Sequence, residues 1–362
     1  MIYFEGMTVT EDGSLALVSP PDKWTRCGRA LERGDQGAFD SSVTGDPCIV
    51  WDDARACHHM FYFAQRHQDG REINSVGHAI TGPGGDALCW NKLGPVHYRN
   101  PEDLAGDTHK PWILMDAYRP NVPVKLNGYY WLFSVSYRGR NKVVQRARSD
   151  SLDGPWEVIP GATIDTGPAS AFDGYHADCI SAYWFEHRGE ILLFYTGYPL
   201  QPQLEQPHSP FGASCAAAVM RPGDPVARKL GRVLEPSVNP SHWTSGYIGG
   251  VQILPATGGG WYAILNASPT PPAPVAQQPA MREPAPSLGG WAYTSEEWPV
   301  SGWRAFDDPI EWIEDIPEDA RLAGEGVNLW RHHVLLGLDG RLYLLYNSGE
   351  YGQESMFVRA QM

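Results

Sequence analysis

The sequence predicts an all-β protein, a five-bladed β-propeller whose last blade is completed by a strand from the N-terminal region. Three observations predict it. A strand hairpin recurs five times along the 362 residues. Each hairpin is followed by a third strand and most by a short fourth one, often led by tryptophan, with a period of roughly 70 residues that marks a repeat array. The C-terminal repeat stops after its third strand, while an unmatched fourth strand, WTRCGRAL (Trp24–Leu31), stands near the N-terminus.

The clearest hairpin lies in Phe172–Gly197. Its strands Cys179–Glu186 and Glu190–Tyr195 flank a His187-Arg188-Gly189 turn, and the run EILLFY is apolar enough to be buried on both faces. Phe39–Ala64 repeats its Phe-Asp opening and aromatic second strand. Weaker copies are Tyr118–Tyr137, Tyr247–Ser268 and Glu325–Gly349, with hairpin turns at Asn127-Gly128, Gly258-Gly259-Gly260 and Asp339-Gly340. Third strands follow at Ser75–Thr81, Val143–Ser149, Ser214–Met220, Gly289–Ser295 and Ser355–Gln361. Fourth strands follow at Trp90–Val96, Trp156–Gly161, Lys229–Leu234 and Trp303–Phe306, with Lys229 in register with the tryptophans. One domain therefore spans the chain, with blades over residues 39–96, 118–161, 172–234, 247–306 and 325–362 plus 24–31. Closing the last blade with Trp24–Leu31 removes an open sheet edge and resists fraying of the array. A β-sandwich leaves that pairing unexplained.

Composition narrows the partners. There are 42 acidic and 28 basic residues, a net charge of −14, and no basic run, which argues against nucleic acid or an anionic membrane surface. No apolar run is long enough for a bilayer span, and Met1–Val18 lacks the features of a signal peptide, so the expectation is a cytoplasmic protein. Oligomeric state is not legible. The six cysteines show no metal-binding spacing and read as reduced structural thiols. No cofactor or metal is expected.

Propeller geometry brings the start of every inner strand, and the loop between second and third strands, to one face. The long connections collect there, including the proline-rich segment 268–288, which reads as a rim insertion rather than a linker. By this register the side chains at the axial mouth are Asp46, Arg119, Asn121, His176, Asp178, Tyr247 and Glu325. Three carboxylates from three blades would converge there, with mutual repulsion and burial splitting their pKa values as a general acid and base require. For any one of them, capping a loop is the ordinary role.

Several stretches resemble the five-bladed propeller glycoside hydrolases, the group that includes families 43, 62, 117 and 130. The repeat pattern covers essentially the whole chain, and the motifs sit at blade entrances. GDPCIVWDD resembles the blade-1 Asp-Pro motif, which implies Asp46 as the base of an inverting mechanism. YRPNVPVKLNGYYWLF resembles the blade-2 motif, but Asn121 stands where family 43 usually has a carboxylate that tunes the acid. Asp178 and Glu325 are candidates for the acid function, and resemblance to family 117 makes His176 another. The implied substrate is a carbohydrate, with Tyr175, Tyr198, Trp243 and Tyr247 as stacking faces and Arg119, Asn121 and Gln252 as hydroxyl partners. An inverting pair stands about 6.5–9.5 Å apart, which residues on different blades can meet. A structural channel ion is compatible with the resemblance, although no acidic calcium loop is present. The alternatives are a phosphorylase, whose phosphate pocket would draw on Lys110, His109, Arg119 and His176, and a non-catalytic carbohydrate-binding propeller. A fructosyl-transferring enzyme is disfavoured because Ala177-Asp178-Cys179 replaces its Glu-Cys signature.

Overall fold

A computed structural model describes every residue except 1, 5–6, 10–14, 22, 201–211, 271–286, 312–320, 327–328 and 351. Five blades, each of four antiparallel strands, are arranged as a propeller, and the sheet of blade 3 gains a short fifth strand in parallel from blade 2. Most of the rim segments 198–213 and 268–288 lies outside the described residues.

A short meander, β1 (Ile2–Phe4), β2 (Met7–Val9) and β3 (Leu15–Leu17), comes first, followed by β4 (Trp24–Leu31). Blade 1 is β5 (Val43–Asp52), β6 (Cys57–Gln68), β7 (Arg71–Thr81) and β8 (Trp90–Pro95). Blade 2 uses β9 (Thr108–Ile113), then β11 (Tyr130–Arg138), β12 (Asn141–Ser149) and β13 (Glu157–Ile164), with β10 (Met115–Asp116) leaving the blade. Blade 3 is β14 (His176–Phe185), β15 (Glu190–Tyr198), β16 (Ser214–Met220) and β17 (Arg228–Leu234). Blade 4 is β18 (Tyr247–Pro255), β19 (Trp261–Ser268), β20 (Leu288–Thr294) and β21 (Arg304–Ala305). Blade 5 is β22 (Trp330–Leu336), β23 (Leu342–Ser348) and β24 (Ser355–Gln361), with β4 as its outer strand.

The inner strands β5, β14 and β18 are buried along nearly their whole length, as strands covered on both faces must be. Large side chains such as Phe61, Trp112, Tyr183, Phe194 and Trp261 fill the wedges between blades. The closing pairing runs from Met356 opposite Leu31 to Gln361 opposite Trp24. All six cysteines are free thiols. Among the described residues, no helix is long and apolar enough to cross a membrane.

Blade 2 differs from the sequence reading. Its inner strand is Thr108–Ile113, not a strand beginning at Tyr118. Pro120 and Pro123 cannot donate to a ladder, whereas the preceding segment buries Trp112 and Ile113. After β9 the chain crosses the face opposite the mouth. There Met115 and Asp116 pair in parallel with Tyr183 and Trp184, at the far end of β14. The chain returns through Val122–Val124, and the Asn127-Gly128 turn, both residues at positive φ, links Leu126 to Tyr129. The N-terminal meander packs on this same face: Leu15 N–H donates to the Tyr118 carbonyl and Thr257 N–H to that of Leu17.

Removing residues 1–31 takes away the fourth strand of blade 5 and the residues bonded through it. Such a truncation is expected to lower the thermal midpoint of the whole domain by well over 10 °C or to abolish folding. A truncated protein that melts with the intact one in calorimetry would show that the clasp contributes little.

Candidate active site

Each inner strand carries the same irregularity near the mouth. Its ladder with the second strand skips, so that two residues face one across it, the signature of a β-bulge. The inserted pairs are Asp46-Pro47, Lys110-Pro111, Cys179-Ile180, Gly249-Gly250 and Arg331-His332. The first residue of four of these pairs adopts positive φ: Asp46 at 48°, Lys110 at 51°, Cys179 at 49° and Arg331 at 42°. A left-handed conformation costs a non-glycine residue about 1–2 kcal/mol. Strain of this kind collects where side chains must be re-aimed for function. The bulge also accommodates Pro47 and Pro111, which have no N–H to give a ladder.

The re-aimed Asp46, Lys110 and Arg331 meet Asp178, just before the blade-3 bulge, and Lys142 of β12 in a compact charged cluster. Asp178 Oδ1 accepts from Lys110 Nζ at 3.0 Å and from the Cys179 N–H at 2.7 Å; Oδ2 accepts from Lys110 and Lys142 Nζ, both at 2.9 Å. Burial would raise this carboxyl, but the two ammonium groups overcome it and hold Asp178 well below the usual carboxylate range. The same contact raises both lysines against the opposing effect of burial. Asp46 is different. Burial raises its pKa, Arg331 and Lys110 oppose the rise, and Asp178 adds to it. The Arg331 guanidinium Nε stands 3.9 Å from Asp46 Oδ2, which accepts no hydrogen bond among the described residues. The Asp46 N–H donates to Asn347 Oδ1 at 3.2 Å, fixing the bulge.

Arg331 reaches past Gly250 of blade 4 to the inner strand of blade 3, where its Nη2 donates to the Ile180 carbonyl. A Cβ on Gly250 would lie 1.6 Å from Arg331 Nη1, so only glycine leaves that path open. Beside this cluster His176 accepts the Lys142 N–H on Nδ1 at 3.0 Å. Burial and then Lys142 lower its pKa to about 3, so the ring is neutral near pH 7. Tyr175 and Tyr198 pack their rings against His176. Tyr247 is buried, with its hydroxyl on Ser287 Oγ. Asp46, Asp178, His176, Tyr175, Tyr198 and Tyr247 thus converge at the mouth.

The other sequence candidates lie elsewhere. Glu325 is bound by the Tyr346 hydroxyl at 2.6 Å, Arg26 Nε at 3.0 Å, Arg359 Nη2 at 3.1 Å and the Leu322 N–H. Its counterparts are not catalytic carboxylates but Asp40, held by Tyr62 and Lys92, and Asp173, held by Tyr195 and Lys229. In blades 1, 3 and 5 the acid thus ties the incoming loop to the second and outer strands. Lys229 is accordingly the partner of Lys92 and Arg26, two positions beyond the tryptophan register assigned from sequence. Arg119 turns to the opposite face, where its Nε and Nη2 bind Asp116 Oδ2. Asn121 lies deep in the channel, donating to the Ile49 and Val334 carbonyls. Both were displaced by the misread inner strand of blade 2. Gln252 is at that same depth, exchanging hydrogen bonds with the Val334 backbone. Trp243 is fully buried against Gly290, with Nε1 on the Phe306 carbonyl, in the place that Phe39 and Phe172 hold in the incoming loops of blades 1 and 3. None of these five is a mouth residue.

Residues missed from sequence are Lys142, Arg331 and Glu354, with Lys110 considered only as a phosphate ligand. Asp46-Pro47 and Lys110-Pro111 occupy one slot in successive blades, a signal that would have identified Lys110. Glu354, at the head of β24, is 6% exposed; its Oε1 accepts the Gly352 N–H at 3.1 Å, while Oε2 has no partner among the described residues. Burial foremost raises its pKa to about 7, and Asp46 reinforces the rise.

One group of described residues has metal-ligand character. It comprises His59, His78 and Asp153. The two rings already share a 2.9 Å hydrogen bond, and Asp153 is held by Arg55.

The architecture has known counterparts. The protein superposes on a solved glycoside hydrolase with a TM-score of 0.67 and 12% identity, covering 94% of this chain and 92% of that one. An endo-arabinase from Bacteroides thetaiotaomicron gives 0.56 and 14%, covering 90% and 96%. The catalytic domain of the Coprinopsis cinerea GH62 α-L-arabinofuranosidase gives 0.58 and 9%, covering 95% and 98%. The fold is that of the five-bladed propeller glycoside hydrolases. No family model matches the sequence, and no curated protein does.

Two substitutions separate structural from chemical roles. Asp178→Asn removes the charge that neutralises two largely buried lysines, and breaking such a cluster typically costs about 3–5 kcal/mol; chemical denaturation would measure it. Glu325→Gln is expected to lower the melting temperature while leaving the turnover of folded protein unchanged. A loss of turnover without loss of stability would return Glu325 to the active site.

Proposed function

We propose that this protein is a glycoside hydrolase that cleaves an oligosaccharide or glycoside at the axial mouth with inversion, using Asp46 as general base. The observation that carries this reading is the Asp46 carboxyl. It is buried at the axis on a strained bulge, with one oxygen unpartnered among the described residues and Arg331 beside it. A base is most effective when its pKa approaches the working pH, and burial moves Asp46 in that direction. Asp46 takes a proton from water as the water oxygen attacks the anomeric carbon, and the bond to the leaving oxygen breaks. Asp178 is a poor proton donor because two lysines hold it ionised. It fixes Lys110 and Lys142 at the mouth. His176, with its low pKa and Nδ1 accepting, is a neutral ring at pH 7 whose remaining N–H is too weak an acid for the donor role. Tyr175 and Tyr198 offer ring faces to a sugar.

A second reading has its own observation. Lys110, Lys142 and Arg331 gather at the mouth of an otherwise acidic chain. A phosphorylase would use such cations to hold inorganic phosphate as the nucleophile in place of water.

Both readings are tested on aryl and natural glycosides, starting with arabinofuranosides and arabinan because similar folds include an endo-arabinase and an α-L-arabinofuranosidase. Hydrolysis should proceed without phosphate, with the anomer of the product opposite to that of the substrate by NMR. Strict phosphate dependence would select the phosphorylase. Asp46→Asn should fold normally by circular dichroism and lose about 10²–10⁴ in kcat. Near-full turnover by this variant would remove Asp46 from the mechanism.

A further inference from the structure

We propose that Glu354, at the head of the third strand of blade 5, is the proton donor of this site. This inference rests on the hydrolase reading above and supplies the acid that Asp178, Glu325 and His176 do not.

The argument is one of register. In blade 2, Val135 faces the residue just before the bulge on one side and Val144 on the other. Asn347 holds the same place in blade 5, between Trp330 and Met356. Two residues before Val144 is Lys142; two residues before Met356 is Glu354. Lys142 reaches from its own blade to the inner strand of the next, where Nζ meets Asp178. Glu354 therefore stands at the corresponding junction between blade 5 and blade 1. Its carbonyl accepts the Thr44 N–H at 3.0 Å, two residues ahead of Asp46. The two carboxyl groups thus flank one junction from different blades.

The environment of Glu354 suits a donor. One carboxyl oxygen takes the Gly352 N–H, and the other is buried and unpartnered among the described residues. Burial favours the protonated form, opposed by the Gly352 N–H; Asp46 across the junction adds to the rise and Arg33 on the incoming loop of blade 1 opposes it. A carboxylic acid that keeps its proton near pH 7 beside a carboxylate is the pairing glycoside cleavage needs. The step balances. The bond from the anomeric carbon to the leaving oxygen breaks with its electron pair on oxygen, which takes the Glu354 proton. The water oxygen bonds to carbon and its proton passes to Asp46. Exchange with solvent then restores both groups.

Two measurements test this. The first needs no substrate. A carboxyl whose pKa is raised on folding favours the folded state below its unfolded value, near 4.5, and loses that contribution as pH rises through about 7. Glu354→Gln keeps the neutral shape, so its melting temperature relative to wild type should rise between pH 5 and pH 8. A difference that stays flat with pH would mean that Glu354 is already ionised at pH 5, overturning the proposal. The second uses arabinofuranosides with 2,4-dinitrophenyl, 4-nitrophenyl and methyl leaving groups. Loss of a general acid typically costs about 10²–10⁴ in rate, and it should fall on the methyl glycoside while sparing the dinitrophenyl one. The basic limb of the pH profile should vanish in the variant. Glu354→Asp, which retracts the carboxyl, should partly restore the methyl glycoside rate. If wild type cleaves these substrates and Glu354→Gln loses nothing, or loses equally on all three, only the donor assignment falls. If wild type turns over no glycoside of the wider panel, the hydrolase reading falls and takes the donor role with it.

Discussion

The site depends on a backbone constraint, the bulge repeated at one level of all five inner strands. A regular strand alternates its side chains between the two faces of its blade, so none would point down the axis. Inserting one residue in left-handed geometry turns a side chain out of that alternation and towards the mouth. Four non-glycine residues hold this conformation, and the ladders above and below each bulge, together with contacts between blades, keep it in place. Blade 4 has glycine at the same level, and the space left by the missing side chain is filled by Arg331 from blade 5. The five positions are one design with five occupants: acid, lysine, cysteine, glycine, arginine.

The occupants partition charge unequally. Around Asp178 there are two cations for one anion, whereas among the described residues the ion-pair partner of Asp46 is Arg331, at a longer distance, with Lys110 acting from farther off. That asymmetry pushes two carboxyl groups, one residue apart in blade register, in opposite directions. Asp178 is committed to the ionised state, while Asp46 is left poised, in a protein interior where an unsatisfied carboxylate is costly. Lys142 and Glu354 extend the same logic to the third strands, a cation at one blade junction and, at another, a carboxyl that burial raises to about 7. The net charge of the chain therefore gives no guide to the polarity of its mouth.

The propeller and its clasp were legible because they rest on period and on turn chemistry, both written locally. The position of Asp46 at the mouth was legible because Asp-Pro marks the head of an apolar inner strand. The inner strand of blade 2 was not. The Asn127-Gly128 turn is genuine, but it belongs to an excursion across the far face, and reading it as the blade hairpin carried Arg119 and Asn121 to the wrong end of the channel. Glu325 misled for another reason. An acid near the head of a blade can be a staple or a catalyst, and only its partner across the sheet, a tyrosine 21 residues later, distinguishes them. Asp40 and Asp173 show the same staple with a spacing of 22, so the pattern was present in the sequence but required pairing distant positions. Arg331 and Glu354 carry no local motif at all; their placement comes from the bulge and the strand register.

The clasp has a mechanical consequence. Trp24 and Gln361, the outermost residues of the two closing strands, lie opposite each other. A force applied between the ends of the chain would therefore peel β4 from β24 one hydrogen bond at a time, rather than shearing all of them together. Before that load reaches the pair it must detach the N-terminal meander from Tyr118 and Thr257 on the far face. A ring closed by joining its ends in this way would open under tension at that seam first, blade 5 unravelling while the other four remain stacked.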